Sequence, residues 1–154
     1  MNTADDVQIC ATTDLDIETF HALLKLRVDV FVVEQECPYA ELDGRDVEPG
    51  TKHLWTADAD SPTAYLRLLS EPDGTARIGR VCTRKDRRSA GLAAKLMTAA
   101  LAESGSRPAV LDAQSHLTSW YARFGFAVAG ADYLEDGIPH TPMSRTASQL
   151  LRPR

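Results

Sequence analysis

The chain has 154 residues, of which 44% are hydrophobic and 25% are charged, and its formal net charge is −5. These values are typical of a soluble globular protein and predict one domain over residues 1–154. The negative charge disfavours a general nucleic-acid-binding protein, which would be basic overall or on one face.

The N-terminus and the cysteines predict a cytoplasmic protein without a metal. Residues 1–6 are polar and acidic, unlike a signal peptide, and no apolar run approaches the ~20 residues that span a bilayer. Cys10, Cys37 and Cys82 are odd in number and lack C-x-x-C spacing, which disfavours a disulfide framework or a zinc site. We expect no nucleic-acid or membrane partner, and a monomer or a homodimer.

The first third of the chain predicts a strand and then a long helix. Residues 7–11 partly alternate in polarity, and residues 12–14 offer side chains that cap a helix. Apolar residues at helical spacing then predict a helix from about Leu15 to Phe31. Several valines near its end have weak helix propensity, so we expect the helix to bend or break near residue 33.

An acidic loop is predicted over residues 37–50 because glycine and proline recur there. Loops of this length in a compact domain are often functional. Each of its carboxylates, taken alone, is equally consistent with an ordinary solvated surface residue.

Three strands are predicted next, over residues 52–59, 63–70 and 76–83. Pro72-Asp73-Gly74 favours a tight turn before the third strand. Short turns between consecutive strands predict an antiparallel meander.

A basic loop joins the third of these strands to a helix predicted over residues 91–103. The loop carries four cations in five positions, Arg84, Lys85, Arg87 and Arg88. Small residues follow at 89, 90, 91 and 93. The first N–H groups of a helix are free to bind a phosphate, and small residues let it approach the backbone. The stretch therefore predicts an anion site, with a merely solvated basic loop as the alternative.

The last third of the chain predicts a strand, a helix, a strand, a loop and a strand. Their ranges are 109–113, 115–124, 126–130, 131–140 and 142–146. The first of these strands should be parallel to its neighbour because it follows a strand–helix crossover. The tail from Ala147 is expected to be frayed or a terminal turn.

The predicted order is β-α-β-β-β-α-β-α-β-β, which indicates an α+β (mixed α/β) fold with a mixed central sheet flanked by helices. A doubly wound nucleotide-binding fold would alternate strand and helix throughout.

Two motifs resemble those of the GCN5-related N-acetyltransferase (GNAT) family. Arg88-x-x-Gly91-x-Ala93 is similar to the Q/R-x-x-G-x-G/A signature with which that family holds the pyrophosphate of acetyl-CoA. Tyr121-x-x-x-Gly125-Phe126 resembles the second hallmark, and it follows the first at a spacing suited to the family. Ser89 stands where many relatives have glycine, and a serine there still permits phosphate contact.

A closer resemblance, over about residues 15–146, is to the ElaA-like subgroup of that family. The stretches that carry it are 26–39, 42–46, 53–55, 78–81, 113–117 and 135–140. The resemblance implies the GNAT fold and an acetyl-CoA-dependent N-acetyltransferase that modifies a primary amine of a small molecule or peptide. The residues it implies in acetyl-CoA binding are Val81, Cys82, Thr83, Arg88, Ser89, Ala90, Gly91, Leu92 and Ala93.

Attack of an amine on a thioester needs a proton acceptor for the amine and a proton donor for the thiolate. Tyr121 matches the tyrosine that commonly serves as the acid in the family, and a packed core aromatic is the alternative.

Glu34 is the best single candidate for the base because the end of the first helix often borders the acceptor cleft in this fold. A proton relay through water is also common in the family. The remaining candidates for the base are Glu36, His53, His116, Glu135 and His140, and for His53 and His116 a structural role is the usual alternative.

Carboxylates crowd residues 34–48 and 132–136, which the family fold would place on the acceptor side of the sheet. This pattern predicts an acidic cleft that attracts a cationic amine. The alternative function is a non-catalytic acyl-CoA-binding sensor or subunit, which needs neither acid nor base. A nucleotide-binding module is a third hypothesis, but it would need a base-recognition element that the sequence does not offer.

Overall fold

Eight strands and three α-helices make up most of the described chain. The computed structural model describes residues 6–59 and 61–146, so the predicted tail from Ala147 lies outside the described residues. The strands are β1 Gln8–Ala11, β2 Lys52–Asp58, β3 Ser61–Ser70, β4 Ala76–Thr83, β5 Ala109–Gln114, β6 Ala127–Val128, β7 Tyr133–Glu135 and β8 Ile138–Arg145. The α-helices are α1 Ile17–Val28, α2 Leu92–Ser104 and α3 Thr118–Ala122.

The strands form one mixed sheet in the order β1-β2-β3-β4-β5-β8-β6. β7 also pairs with β8 but is not part of this linear order. β1 to β4 are antiparallel, β4 and β5 are parallel, and β5 and β8 are antiparallel. The predicted mixed sheet, its antiparallel meander and its parallel strand are therefore confirmed.

Both faces of the sheet are covered by helices. α2 packs on one face, where Leu66, Ile78 and Leu111 belong to the larger core cluster. α1 packs on the other face, where Leu23 and Leu26 contact a second cluster that includes Tyr65 and Cys82. Consecutive side chains of a strand point to opposite faces, so an almost entirely buried β3 supplies both clusters.

The first helix differs from the prediction at both ends. Asp16 caps α1 by accepting a hydrogen bond from the Thr19 N–H at 2.7 Å, so the predicted caps at residues 12–14 are wrong. α1 ends at Val28, and Asp29–Glu34 continue as a π-helix, whose end at Glu34 agrees with the break expected near residue 33. The extra residue per turn widens the helix, and such segments are rare and often found at functional sites.

The loop predicted over residues 131–140 is wrong because β7 and β8 form a hairpin there. Asp136 and Gly137 have φ values of 52° and 80°, as the two-residue turns of type I′ require. Pro139 weakens the strand pattern in the sequence, yet it pairs with Leu134 across the hairpin. The preceding strand shrinks to β6, and the helix predicted over residues 115–124 is a 3-10 turn, Ser115–Leu117, followed by α3.

Arg27 of α1 is completely buried and anchors the acidic loop to the sheet. Its guanidinium donates to the two carboxylate oxygens of Asp46 at 2.7 and 3.2 Å, and its Nε donates to Glu41 at 2.7 Å. We call the larger group to which it belongs the arginine–carboxylate network. Its members are Arg27, Arg67, Arg80, Glu41, Asp43 and Asp46.

Asp46→Ala should destabilise the protein by about 3–5 kcal/mol, because it leaves the buried Arg27 charge without its bidentate partner. The measurement is the free energy of unfolding from urea denaturation. Asp29→Ala is the matched control, since it removes an exposed carboxylate paired with Lys25 and should cost less than about 1 kcal/mol. Equal losses in the two variants would contradict the anchoring role of Arg27.

Candidate active site

β4 and β5 pair at only two positions, Ala76 with Ala109 and Arg77 with Val110, and then separate. The gap opens into a cleft of about 1100 Å³. Its walls come from the π-helical segment, the start of α2, α3 and the β7–β8 hairpin. The edge of β4 from Ile78 to Thr83 therefore faces a cavity instead of a neighbouring strand.

A β-bulge changes the course of β4 along this edge. Tyr65 pairs with Cys82 and Arg67 with Gly79, so two residues of β4, Arg80 and Val81, oppose the one intervening residue of β3. Arg80 has a φ of 54°, which places the bend at this residue.

Backbone N–H groups of β4 are available in the gap. The Arg84 N–H donates to the Thr63 carbonyl of β3 at 2.7 Å. Alternate N–H groups of a strand point to the same edge, so those of Thr83 and Val81 face the gap while that of Cys82 faces β3. Donors fixed in this way can hold a carbonyl oxygen and stabilise negative charge on it.

The N-terminus of α2 forms one end of the cleft. Gly91 precedes the helix with a φ of 76°, and Ser89 has a φ of 68°. In the described part of the chain no side chain caps the start of this helix, and its first turn carries no acidic residue. Its first N–H groups therefore remain free for an anion, as the small residues of the loop predicted.

Glu34 and Arg88 form a two-point ion pair across this end of the cleft. The Arg88 Nη1 and Nη2 atoms donate to the Glu34 carboxylate at 2.6 and 2.7 Å, and Arg88 Nε donates to the Thr83 carbonyl at 3.1 Å. The hydrogen bonds from Arg88 lower the pKa of Glu34. A carboxylate held ionised is a weaker proton acceptor, so the geometry favours Glu34 as the residue that orients Arg88 over its predicted role as the base.

Tyr121 lines the cleft and is only 7% exposed. Burial raises its pKa to about 12, with a smaller contribution from the nearby Cys82 thiol. Trp120 packs edge-on against its ring at 4.9 Å between centroids. The hydroxyl is therefore protonated at neutral pH, and it bonds to no other residue in the described part of the chain.

The cleft collects most of the predicted site residues. Of the residues expected to bind acetyl-CoA, Ala90 alone does not line it. Among the candidates for the base, Glu36 and His53 also lie outside. His53 is completely buried between Thr12 and Tyr65, and burial lowers its pKa to about 4. Glu34, His116, Glu135 and His140 line the cleft.

Arginines neutralise most of the carboxylates that the sequence placed on the acceptor side. The arginine–carboxylate network holds three charges of each sign. The hydrogen bonds from Arg67 outweigh burial and lower the pKa of Asp43 to about 2. Glu71 is paired with Arg45 and Arg77, and Arg77 also reaches Asp112 at 2.9 Å. The expected acidic wall is therefore reduced to the β7–β8 turn.

Glu135 and Asp136 in that turn form no ion pair with an arginine or lysine of residues 6–59 and 61–146. The sequence reasoning missed the arginines that pair with these carboxylates, such as Arg67 and Arg80, because on this side of the sheet it counted only the carboxylates. Arg67 stood between leucines in a predicted strand, a signal of a buried, paired charge.

Membrane-spanning helices and metal-binding clusters are two further features to consider. No helix in the described ranges has the length and apolar character needed to cross a membrane. No cluster of three or more His, Cys, Asp or Glu residues suited to a metal ion occurs in those ranges either.

Comparison with known proteins gives consistent matches. Residues 19–147 match the family model described as acetyltransferase (GNAT) domain. A UPF0039 protein of Mycobacterium tuberculosis is 51% identical over 145 residues, which cover 91% of this chain and 93% of that protein.

Two solved structures are similar over nearly their whole length. An acyl-CoA N-acyltransferase from Pseudomonas aeruginosa is 41% identical, with a TM-score of 0.87 and coverage of 92% of this chain and 99% of that one. Escherichia coli ElaA is 36% identical, with a TM-score of 0.86 and coverage of 91% and 98%.

Gly91→Val should weaken the binding of CoA at least tenfold, about 1.4 kcal/mol in binding free energy, by placing a branched side chain beside the free N–H groups of α2. The measurement is the dissociation constant of CoA by calorimetry. Gly74→Val is the matched control, because Gly74 also has a positive φ (+90°) and open space around a Cβ, but lies in a turn outside the cleft. If folded Gly91→Val binds CoA as tightly as the parent, the prediction of an anion site at the N-terminus of α2 is contradicted.

Proposed function

The chain belongs to the GCN5-related N-acetyltransferase family, and from that premise we propose that it transfers an acetyl group from acetyl-CoA to a primary amine. Acyl transfer from a CoA thioester is the chemistry of the family; the acetyl donor and the amine acceptor are the proposal. The observation that carries it is one cleft that joins the free end of α2, the open edge of β4 and the protonated Tyr121.

The donor end of the cleft suits the phosphates of CoA. The N–H groups from Ser89 to Ala93 would donate hydrogen bonds to the pyrophosphate oxygens, and Arg88 would add a charged donor. The N–H groups of Val81 and Thr83 would hydrogen-bond the extended pantetheine arm or the thioester carbonyl. The acetyl donor is proposed from the match of residues 19–147 to the acetyltransferase family model.

Tyr121 would protonate the leaving thiolate. The amine attacks the thioester carbon, the C–N bond forms and the C–S bond breaks, and the sulfur then needs a proton. Burial keeps the phenol protonated at neutral pH, and the proton would move to sulfur as negative charge develops there during C–S cleavage. No residue within 6–59 and 61–146 accepts a hydrogen bond from this hydroxyl, which leaves its proton available for transfer.

The acceptor would be a cation before it reacts. The arginine–carboxylate network contributes no net charge, so Glu135 and Asp136 provide the attraction. Two carboxylates at the rim of a cleft raise the local concentration of a cation, and salt screens this effect.

The proposed function is tested by thiol release from acetyl-CoA and from longer acyl-CoAs, over a panel of cationic amines, neutral alcohols and anionic acceptors. We expect acetyl-CoA with a primary amine to be preferred, and kcat/KM for the best amine to fall as salt rises. Glu135→Gln should weaken this salt dependence, whereas Glu18→Gln, an exposed substitution on α1, should not.

Preference for an alcohol or an anionic acceptor would contradict the proposed acceptor. Tight CoA binding with negligible turnover across the whole panel would favour the non-catalytic acyl-CoA-binding sensor instead.

Tyr121→Phe should lower kcat by about 10²–10⁴-fold, the usual contribution of a general acid, while the dissociation constant of acetyl-CoA stays within about twofold. Phenylalanine keeps the packing against Trp120 and removes only the hydroxyl. The measurement is kcat beside equilibrium binding, with the melting temperature as a check on folding. If the variant keeps the kcat of the parent, Tyr121 has a packing role and is not the general acid.

A further inference from the structure

We propose that His140 is the general base that deprotonates the acceptor amine, an assignment that rests on the proposed function. His140 lies on β8 beside the turn of the β7–β8 hairpin and lines the cleft. It pairs with Gln114, the last residue of β5, where the gap between β4 and β5 is wide. α3, which carries Tyr121, follows β5 after one 3-10 turn, so base and acid border the same end of the gap.

A hydrogen bond sets the tautomer of His140. Its Nδ1 atom lies 2.8 Å from the Ile138 carbonyl oxygen. A carbonyl oxygen can only accept, so Nδ1 carries the proton of the neutral ring and Nε2 keeps its lone pair. The ring is therefore held in the form that can take a proton at Nε2.

Aromatic and acidic side chains surround the imidazole ring of His140. Tyr133 of β7 stacks on it, with centroids 5.8 Å apart and planes at 24°. The Glu135 carboxylate lies 3.9 Å from Nε2, close enough to stabilise an imidazolium without a direct hydrogen bond. Asp112 of β5, which is paired with Arg77 of β4, interacts with the Tyr133 hydroxyl.

Three carboxylates of the cleft are paired with arginines. Glu34 is held by Arg88, Asp43 by Arg67, and Glu71 by two arginines. His116 lines the cleft but is exposed, and no hydrogen bond fixes its tautomer among the described residues. His140 is only 14% exposed at its side chain, so its ring has a defined place in the cleft wall.

The proton balance of the reaction closes with this assignment. Nε2 takes one proton from the ammonium form of the acceptor, and the free amine attacks the thioester carbon. The nitrogen loses a second proton as the amide forms, and the thiolate gains one proton from Tyr121. The second proton returns the hydroxyl of Tyr121 to its starting state through water, and His140 releases its proton to solvent.

The test compares His140→Asn with the parent enzyme, using acetyl-CoA and the best amine of the panel. Asparagine places an amide N–H near the position of Nδ1, so it can still donate to Ile138 while Nε2 is lost. We expect kcat/KM to fall by about 10²–10⁴-fold and CoA affinity to remain within about twofold. Added imidazole, which can replace the missing proton acceptor, should restore part of the rate. His21→Gln, an exposed histidine of α1, is the control.

Different results would overturn different claims. Parent-like kcat/KM in His140→Asn, or a loss of rate that added imidazole does not reduce, would overturn the assignment while leaving the transferase function in place. Failure of the parent to acylate any acceptor would overturn the proposed function and this assignment with it. Nitrogen NMR of the parent gives a readout that does not depend on activity, since a proton on Nε2 of the neutral His140 ring would also overturn the assignment.

Discussion

The candidate site depends on the early separation of β4 and β5. A parallel pair that continued past Arg77 would satisfy the N–H groups of Val81 and Thr83 and would close the cleft. The bulge at Arg80 and Val81 bends β4 away and leaves those donors without a strand to accept them. An open strand edge inside a sheet is unusual, because unpaired backbone groups are costly when they are buried. An extended ligand with carbonyl oxygens, such as the pantetheine arm, would accept hydrogen bonds from the N–H groups of β4 where no neighbouring strand does so.

The arginine–carboxylate network explains why an acidic sequence does not produce an acidic cleft. Arg27 would be costly to bury alone, and its carboxylate partners come from the loop that follows the π-helical segment. The pairing fixes that loop against β3 and β4, and it also cancels the charge that the loop appears to carry in the sequence. The position of Glu135 and Asp136 in a separate hairpin is what leaves them as the charged rim.

Local signals predicted the parts of the site whose cause is local. The boundaries of β4 and the start of α2 agree with the prediction within one residue, because alternation, small residues and helical spacing all lie within short windows. The β7–β8 hairpin was missed although Asp136-Gly137 is a turn signal, since Pro139 obscured the strand. The π-helix and the pairs of Arg67 and Arg80 depend on contacts between distant segments, which no single stretch of sequence displays.

The groups that surround each ionisable side chain of this cleft determine whether it can donate or accept a proton, more than its residue type does. Glu34 is a carboxylate that its ion pair with Arg88 keeps ionised, so its chemistry is that of a fixed negative charge. Tyr121 is kept protonated because burial disfavours the phenolate. The proposed base has its lone pair presented at Nε2 because Ile138 occupies the other nitrogen. Environments that separate an acid from a base allow both to act in one cleft at neutral pH. A carboxylate in the right place is therefore not enough to identify the base; its partners must leave it free to take a proton.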